Sequence, residues 1–105
     1  MKKIIIHSQD NLRLINVDDI LACKSDNCYS TVFLHGGEKL VMCKSLTKLY
    51  KELDPAMFIR ANQSFIINKN FIKSINKKNK LIDLVNFDSV PFTGTLKELL
   101  ADLNL

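Results

Sequence analysis

Long apolar runs, glycine and proline are all scarce in this chain of 105 residues. With three glycines, two prolines and 47% hydrophobic residues, the composition excludes a disordered or collagen-like chain. No apolar run approaches the roughly 20 residues that a membrane helix needs, so we expect no membrane partner. The apolar start at residues 4–6 stops at Ser8-Gln9-Asp10, which indicates a first strand and not a signal peptide. We therefore expect one globular, cytoplasmic domain over residues 1–105.

Signatures of catalysis and of metal binding are also absent. The chain has an odd number of cysteines, Cys23, Cys28 and Cys43, and no two of them form a C-x-x-C pair. This argues against a zinc site and against a disulfide framework. We expect all three to be small buried side chains on strands. His7 and His35 lie far apart in the sequence, and no Ser-His-Asp order, HExxH motif or phosphate-binding glycine loop occurs. The sequence therefore predicts no enzyme, no metal and no cofactor.

The excess of positive charge is small. The net charge is +4 and the isoelectric point is near 9.0, which is compatible with nucleic-acid binding. The many lysines, asparagines and isoleucines also fit a biased codon usage that has no functional meaning. Charge alone therefore does not decide between a nucleic-acid-binding protein and another class.

Short β-type segments separated by turn residues fill most of the chain. His35-Gly36-Gly37-Glu38 predicts a tight hairpin, because glycine supplies the positive φ that the reversal needs. Pro91 favours an edge position for the last strand, because proline has no backbone N–H to donate. Strands are predicted at residues 4–7, 12–15, 21–24, 29–34, 39–43, 71–75, 81–85 and 90–92.

Two segments change to a helical period. Apolar residues three and four positions apart form stripes at Leu46, Leu49, Tyr50 and Leu53, and at Leu96, Leu99, Leu100 and Leu103. Ser45 predicts the N-cap of the first helix, and Asp54-Pro55 predicts its end. Thr95 and Glu98 form a capping box that begins the second helix. We therefore expect a mainly β protein with a short internal helix and a C-terminal helix.

The segment 58–72 places polar residues 60–64 between two apolar stretches. Asn62 and Gln63 carry amides, which both donate and accept hydrogen bonds. Such a polar cluster between strands can present hydrogen-bonding groups to a nucleic acid, and the alternative is an ordinary polar turn. If the cluster faces DNA, we expect exposed side chains at Asn62 and Gln63 and buried ones at Phe58, Phe65 and Ile67.

Several short segments follow one another in a specific order. They are Val17-Asp18-Asp19-Ile20-Leu21, Asn27-Cys28-Tyr29-Ser30-Thr31-Val32, Glu38-Lys39-Leu40, Lys44-Ser45-Leu46, residues 58–68, Ile72-Lys73-Ser74-Ile75 and Val90-Pro91-Phe92-Thr93-Gly94-Thr95. In this order and spacing the chain resembles the LytTR family of bacterial DNA-binding domains over residues 12–100. The resemblance implies an elongated, mainly β fold of three antiparallel sheets. It also implies a short helix between the second and third sheets.

The function that this resemblance implies is sequence-specific binding of duplex DNA by a transcription regulator. Members insert loops into successive grooves and bind direct-repeat promoter sites as dimers. They are usually output domains of two-component response regulators and follow a receiver domain. This chain is then either a part of such a protein or a free-standing short regulator, and the start Met1-Lys2-Lys3 favours the second alternative.

The family's base-contacting loops correspond to three places in this sequence: the loop 24–27 before the Tyr29 strand, Asn62-Gln63, and Thr93-Gly94-Thr95. Many members carry His-Arg where Asn62-Gln63 stands, and often an Arg where Gly94 stands, so we expect weaker or differently targeted DNA binding. Phosphate contacts are expected from Lys24, Lys69 and Lys97, which we place near the loops. The DNA-binding residues implied by the resemblance are Lys24, Ser25, Asn27, Arg60, Asn62, Gln63, Lys69, Thr93, Gly94, Thr95 and Lys97.

Other interpretations stay open for several residues. The aromatic side chains are expected to be core residues more often than base-stacking ones; these are Tyr29, Phe58, Phe65 and Phe71. Ser64 and Asn68 are expected to satisfy backbone groups around the loop, and Lys77, Lys78 and Lys80 to form a solvated hairpin tip. The competing function is a protein-interaction module that keeps the fold and has lost its affinity for DNA.

Overall fold

The computed structural model describes residues 2–7 and 10–105. Within these residues the chain forms ten strands and two short α-helices. The strands are β1 (Lys3–His7), β2 (Leu12–Asn16), β3 (Ile20–Asp26), β4 (Tyr29–Leu34), β5 (Lys39–Met42), β6 (Phe58–Arg60), β7 (Phe65–Asn68), β8 (Ile72–Asn76), β9 (Leu81–Leu84) and β10 (Val90–Pro91). The helices are α1 (Leu46–Glu52) and α2 (Leu96–Asp102). Short 3-10 turns at Val17–Asp19 and Lys69–Phe71 precede β3 and β8.

The described strands make three antiparallel sheets, as the resemblance implies. The first pairs β1 with β2, the central one has the order β5-β4-β3-β7-β6, and the third has the order β10-β9-β8. The molecule is elongated, with extents of 45 × 28 × 23 Å. The strand β10 lies at an edge, where Pro91 is tolerated because no further strand needs its missing N–H.

The internal helix is not between two sheets, and this part of the prediction is wrong. In chain order α1 lies between β5 and β6, which are the two edge strands of the central sheet. The reason is a long-range pairing that joins β7 to β3, with Ala22 opposite Ile67 and Lys24 opposite Phe65. The chain after α1 therefore returns to complete the central sheet before the third sheet begins.

Alternation along the central strands creates two hydrophobic cores. Successive residues of a strand point to opposite faces of the sheet, so Cys23 faces one side and its neighbour Ala22 the other. The first core packs α1 and the β1–β2 sheet on the central sheet, through Ile4, Ile15, Leu49, Phe58 and Ile66 among others. The second packs α2 and the third sheet on the opposite face, through Ile59, Ile67, Ile82, Leu84 and Leu99 among others.

Both helices begin where their caps predict. The Ser45 hydroxyl accepts a hydrogen bond from the Lys48 backbone N–H, and α1 ends just before Leu53. Thr95 and Glu98 form the predicted capping box at the start of α2. At seven residues each helix is too short to be stable alone, and buried Leu49 and Leu99 attach them to the two cores.

Several expected core positions are exposed instead. Only Cys23 is a buried strand cysteine, where burial raises the pKa of its thiol to about 12, whereas Cys28 and Cys43 are exposed. Tyr29 is 46% exposed, because the second core does not extend over its part of the central sheet. Phe58 is fully buried, but Phe65 and Phe71 are only half-buried. Phe71 packs against the imidazole ring of exposed His35, with ring centres 4.8 Å apart.

Candidate nucleic-acid interface

The three segments that the sequence proposes as DNA-contacting loops lie side by side at one end of the central sheet. The backbone N–H of Ser25 donates to the carbonyl of Ser64 at 2.9 Å. The backbone N–H of Thr93 donates to the carbonyl of Ala61 at 3.0 Å. The middle segment therefore touches both of the others. We call residues 25–28, 61–64 and 92–95 together the loop surface.

The first part of the loop surface is shorter than the predicted loop. The strand β3 continues to Asp26, so Lys24 and Ser25 lie on a strand, and the reversal is the two-residue turn Asn27-Cys28. Asn27 has a φ of 56°, a left-handed conformation that asparagine tolerates better than most residues. The ammonium of exposed Lys24 lies 5.8 Å from the ring centre of Phe65.

The second part is held by the side chains of Asn62 and of Arg60, the last residue of β6. The Asn62 carbonyl oxygen accepts from the Ser64 N–H at 2.7 Å, and its NH₂ donates to the Pro91 carbonyl at 2.6 Å. The Arg60 guanidinium donates to the Thr47 hydroxyl and to the Gln63 carbonyl, both at 2.9 Å. Arg60 and Asn62 are half-buried, so the expectation of an exposed Asn62 is wrong, while Gln63 is exposed as predicted.

The third part combines a glycine turn with a helix cap. Gly94 has a φ of +82°, and its carbonyl accepts a hydrogen bond from the ammonium of Lys80. That ammonium also lies 5.4 Å from the ring centre of Phe92, so Lys80 is anchored and not part of a purely solvated tip. The Thr95 hydroxyl accepts from the Glu98 N–H at 3.1 Å and is engaged in the capping box.

Two side chains at the centre of the loop surface are free. Arg60, Asn62, Gln63 and Thr93 line an open depression between the second and third parts. The Gln63 amide and the Thr93 hydroxyl make no hydrogen bond to any residue in 2–7 or 10–105. Both are exposed and can therefore donate to and accept from a ligand.

Comparison with known proteins identifies the family. The LytTr DNA-binding domain family matches residues 10–103.

The chain belongs to this family.

A solved LytTr DNA-binding domain, described as part of a methyl-accepting/DNA response regulator from Bacillus cereus, has the same fold. It is 19% identical, with a TM-score of 0.82, and the match covers 100% of this chain and 99% of that chain. No curated protein matches the chain. The family and the mainly β fold are therefore as predicted, and the LytTr family is a DNA-binding one. In the described part of this LytTr domain, no helix has the length and apolar character to cross a membrane.

The LytTr fold does not bring Lys69 to the loop surface. Lys69 follows β7, whose other end joins the loop 61–64, so the four-residue strand separates them by roughly 13 Å. Its ammonium donates to the Pro55 carbonyl at 3.0 Å instead. Lys69 is only five residues after Ser64 in the sequence, but the extended strand between them carries Lys69 away from the loop surface.

Residues outside the predicted DNA-binding set also belong to this end of the LytTr domain. Thr47, at the start of α1, binds Arg60, and exposed Lys48 follows it. Exposed Lys77 and Lys78 lie in the β8–β9 turn, which reaches the third part through the bond between the Phe92 N–H and the Lys80 carbonyl. The sequence predicts only a solvated hairpin tip for the lysines at 77–80, and nothing local in it indicates a role for Thr47.

Charge is distributed unevenly along the LytTr domain. On or next to the loop surface lie Lys24, Lys48, Arg60, Lys77, Lys78, Lys80 and Lys97, against Asp26 and Glu98. The rest of the domain, including the opposite end, mixes basic with acidic residues, as in the ion pairs Arg13–Glu38 and Lys44–Glu52. Basic residues clustered on one face are the electrostatic feature expected of a surface that binds nucleic acid.

Proposed function

We propose that this LytTr domain is a sequence-specific duplex-DNA-binding transcription regulator that inserts its loop surface into successive grooves of promoter DNA. The observation that carries the proposal is the joining of three separate segments into one basic surface with free polar groups at its centre. DNA recognition needs both kinds of group, because cations bind phosphates and amide or hydroxyl groups read base edges.

The side chains of this surface divide into two roles. Gln63 and Thr93 read base edges with their free amide and hydroxyl groups, and Ser25 and Asn27 on the first part of the loop surface also face the DNA. Lys24, Lys48 and Lys97 bind phosphates. Lys69 is left out, because its ammonium is bonded at the other end of β7.

The regulatory setting follows the family. We propose that two copies bind a direct-repeat site as a homodimer on DNA, in the cytoplasm of a bacterium. A receiver domain or another partner of a two-component system then controls them. The chemistry is binding alone, with no catalysis and no cofactor.

A salt titration with two matched lysine variants tests this proposal. Each phosphate contact releases counterions, so the logarithm of the affinity for duplex DNA falls with the logarithm of the salt concentration. Lys97→Ala should lower this slope by about one unit on any duplex. Lys39→Ala removes an exposed lysine at the opposite end and should leave the slope unchanged. Equal effects of the two variants would count against the loop surface.

The competing function, a protein-interaction module, is favoured by one apolar surface. The outer face of the β1–β2 sheet exposes Ile5, Leu12 and Leu14 to 47%, 63% and 61%. Exposed apolar patches are typical of protein-binding surfaces. If the unaltered protein shows no loss of affinity for duplex DNA between about 50 and 200 mM salt, where a DNA-binding protein loses much of it, this second function takes precedence.

A further inference from the structure

Asn62 has both ends of its amide occupied within the molecule. We infer that Asn62 is a positioning residue, which fastens the second part of the loop surface to the third, and that it does not read bases. The effect of Asn62 on base recognition rests on the proposed function. The fastening of the two parts does not, because it is a property of the free protein. It assigns to Asn62 a role different from that of its neighbour Gln63.

The hydrogen bonds of the Asn62 amide support this role. The Asn62 Oδ1 lies 2.7 Å from the Ser64 nitrogen, and the Asn62 Nδ2 lies 2.6 Å from the Pro91 carbonyl oxygen, so both hydrogen bonds are short. To reach a base edge with the same geometry as a free amide, Asn62 would have to release these two groups. Releasing them would leave a donor and an acceptor without their partners, which is unfavourable. Each end of the amide keeps one further bonding site, but the two bonds fix the orientation of the amide within the protein.

The position of these bonds explains what they hold. Pro91 is 29 residues away from Asn62 in the chain. The adjacent bond from the Thr93 N–H to the Ala61 carbonyl joins the same two segments. Together they fix the separation of Gln63 and Thr93, which carry the free polar groups. On the other side, Arg60 fixes the Gln63 carbonyl.

A positioning residue and a base-reading residue have different consequences at DNA. Loss of a base-reading side chain removes discrimination at the base pairs that it touches. Loss of the fastening displaces Gln63 and Thr93 together, so discrimination falls at the base pairs of both. The salt slope stays the same in either case, because no phosphate contact is removed.

The first measurement needs no DNA. Amide hydrogen exchange by NMR reports whether the Thr93 and Ser64 N–H groups stay protected. In Asn62→Ala we expect both to lose protection, whereas Gln63→Ala, the matched control, should keep both. In Asn62→Asp the carboxylate can still accept from Ser64 but cannot donate to Pro91, so only Thr93 should lose protection. Unchanged protection of Thr93 in both Asn62 variants would overturn the inference.

The second measurement uses a duplex that the unaltered protein selects from a randomised pool. Affinities are compared across single base-pair changes of that duplex. Gln63→Ala and Thr93→Ala should each lose discrimination of roughly 5- to 150-fold at their own base pairs. Asn62→Ala should lose discrimination at both sets. Loss at base pairs that neither of the other variants affects would mean that Asn62 reads bases, which overturns the inference.

The two measurements separate the inference from the proposed function. If no duplex is selected, the proposed function fails, and the exchange of Thr93 in the free protein still decides the role of Asn62. If a duplex is selected and Thr93 stays protected in both Asn62 variants, the function stands and the positioning role is wrong.

Discussion

Gly94 stands where the resemblance implies an arginine, and the conformation of its backbone makes any replacement unfavourable. Its φ of +82° lies in the left-handed region, where an L-residue is disfavoured by roughly 1–2 kcal/mol. A Cβ built there would lie 3.4 Å from a carboxylate oxygen of Glu98, an ordinary contact, so the cost comes from the backbone alone. Gly94→Ala and Gly94→Arg should therefore each lower the free energy of unfolding by about 1–2 kcal/mol, measured with urea.

The same two variants test whether residue 94 faces DNA. Alanine and arginine share the backbone strain, so their difference isolates the guanidinium. If residue 94 lies in a groove, Gly94→Arg should bind a selected duplex more tightly than Gly94→Ala, by about 1–3 kcal/mol for one bidentate guanine contact. Equal affinities at the same salt concentration would place residue 94 outside the groove.

At the scale of secondary-structure elements, signals between near neighbours in the chain predicted the structure well. Ser45 and Thr95 cap their helices through backbone groups only three residues away. Gly36 and Gly37, with φ of 123° and 100°, form the predicted hairpin reversal. Such contacts depend on residues within one turn, so the sequence contains all the information that they require.

Contacts between distant elements could not be predicted in this way. Alternation puts Tyr29 on one face of β4, but only the packing of the third sheet decides whether that part of the face is covered. From the sequence, Asn62 is expected to be a free loop amide, because nothing near it in the chain indicates its bond to the distant Pro91 carbonyl. The loop surface was thus predicted by resemblance, while the division of its residues into free and engaged side chains required the structure.

The third sheet contains a carboxylate that links its three strands. Asp83 on β9 accepts hydrogen bonds from the hydroxyls of Ser89, just before β10, and Ser74 on β8. These bonds, from Ser89 first and then from Ser74, hold the pKa of Asp83 below its usual range, with a smaller effect from the charge of Lys73. A lowered pKa in the folded state means that the ionised carboxylate stabilises the fold.

The acid dependence of stability tests this link between elements. The contribution of Asp83 is fully present above the ordinary carboxyl pKa of about 3.9 and is lost as the pH falls from there through the lowered folded value. Relative to the unaltered protein, Asp83→Asn should lose less stability between about pH 5 and pH 2, measured by urea unfolding. The loss of stability in Ser89→Ala over the same pH range should lie between the losses in the unaltered protein and in Asp83→Asn. Parallel loss in all three proteins would rule out the linkage.

At the scale of the whole molecule, three cysteines in different surroundings can report which end meets DNA. The reactive form of cysteine is the thiolate, and burial raises the pKa of Cys23 to about 12, so Cys23 should react only on unfolding. Cys28 is exposed within the loop surface. Cys43→Ser removes the other exposed thiol and leaves Cys28 as the only accessible one among the described residues.

In the Cys43→Ser protein, saturating duplex DNA should slow the labelling of Cys28 by a thiol reagent, because the turn at Asn27-Cys28 would enter or border a groove. The matched control is the Cys43→Ser protein with two further substitutions, Lys39→Cys and Cys28→Ser. It places the thiol at the far end of the β4–β5 hairpin, roughly 20 Å away along six residues of strand. Labelling of this control should not change on adding DNA. If instead the thiol at residue 39 is protected and Cys28 is not, DNA binds the mixed-charge end, and the orientation proposed for the domain is reversed.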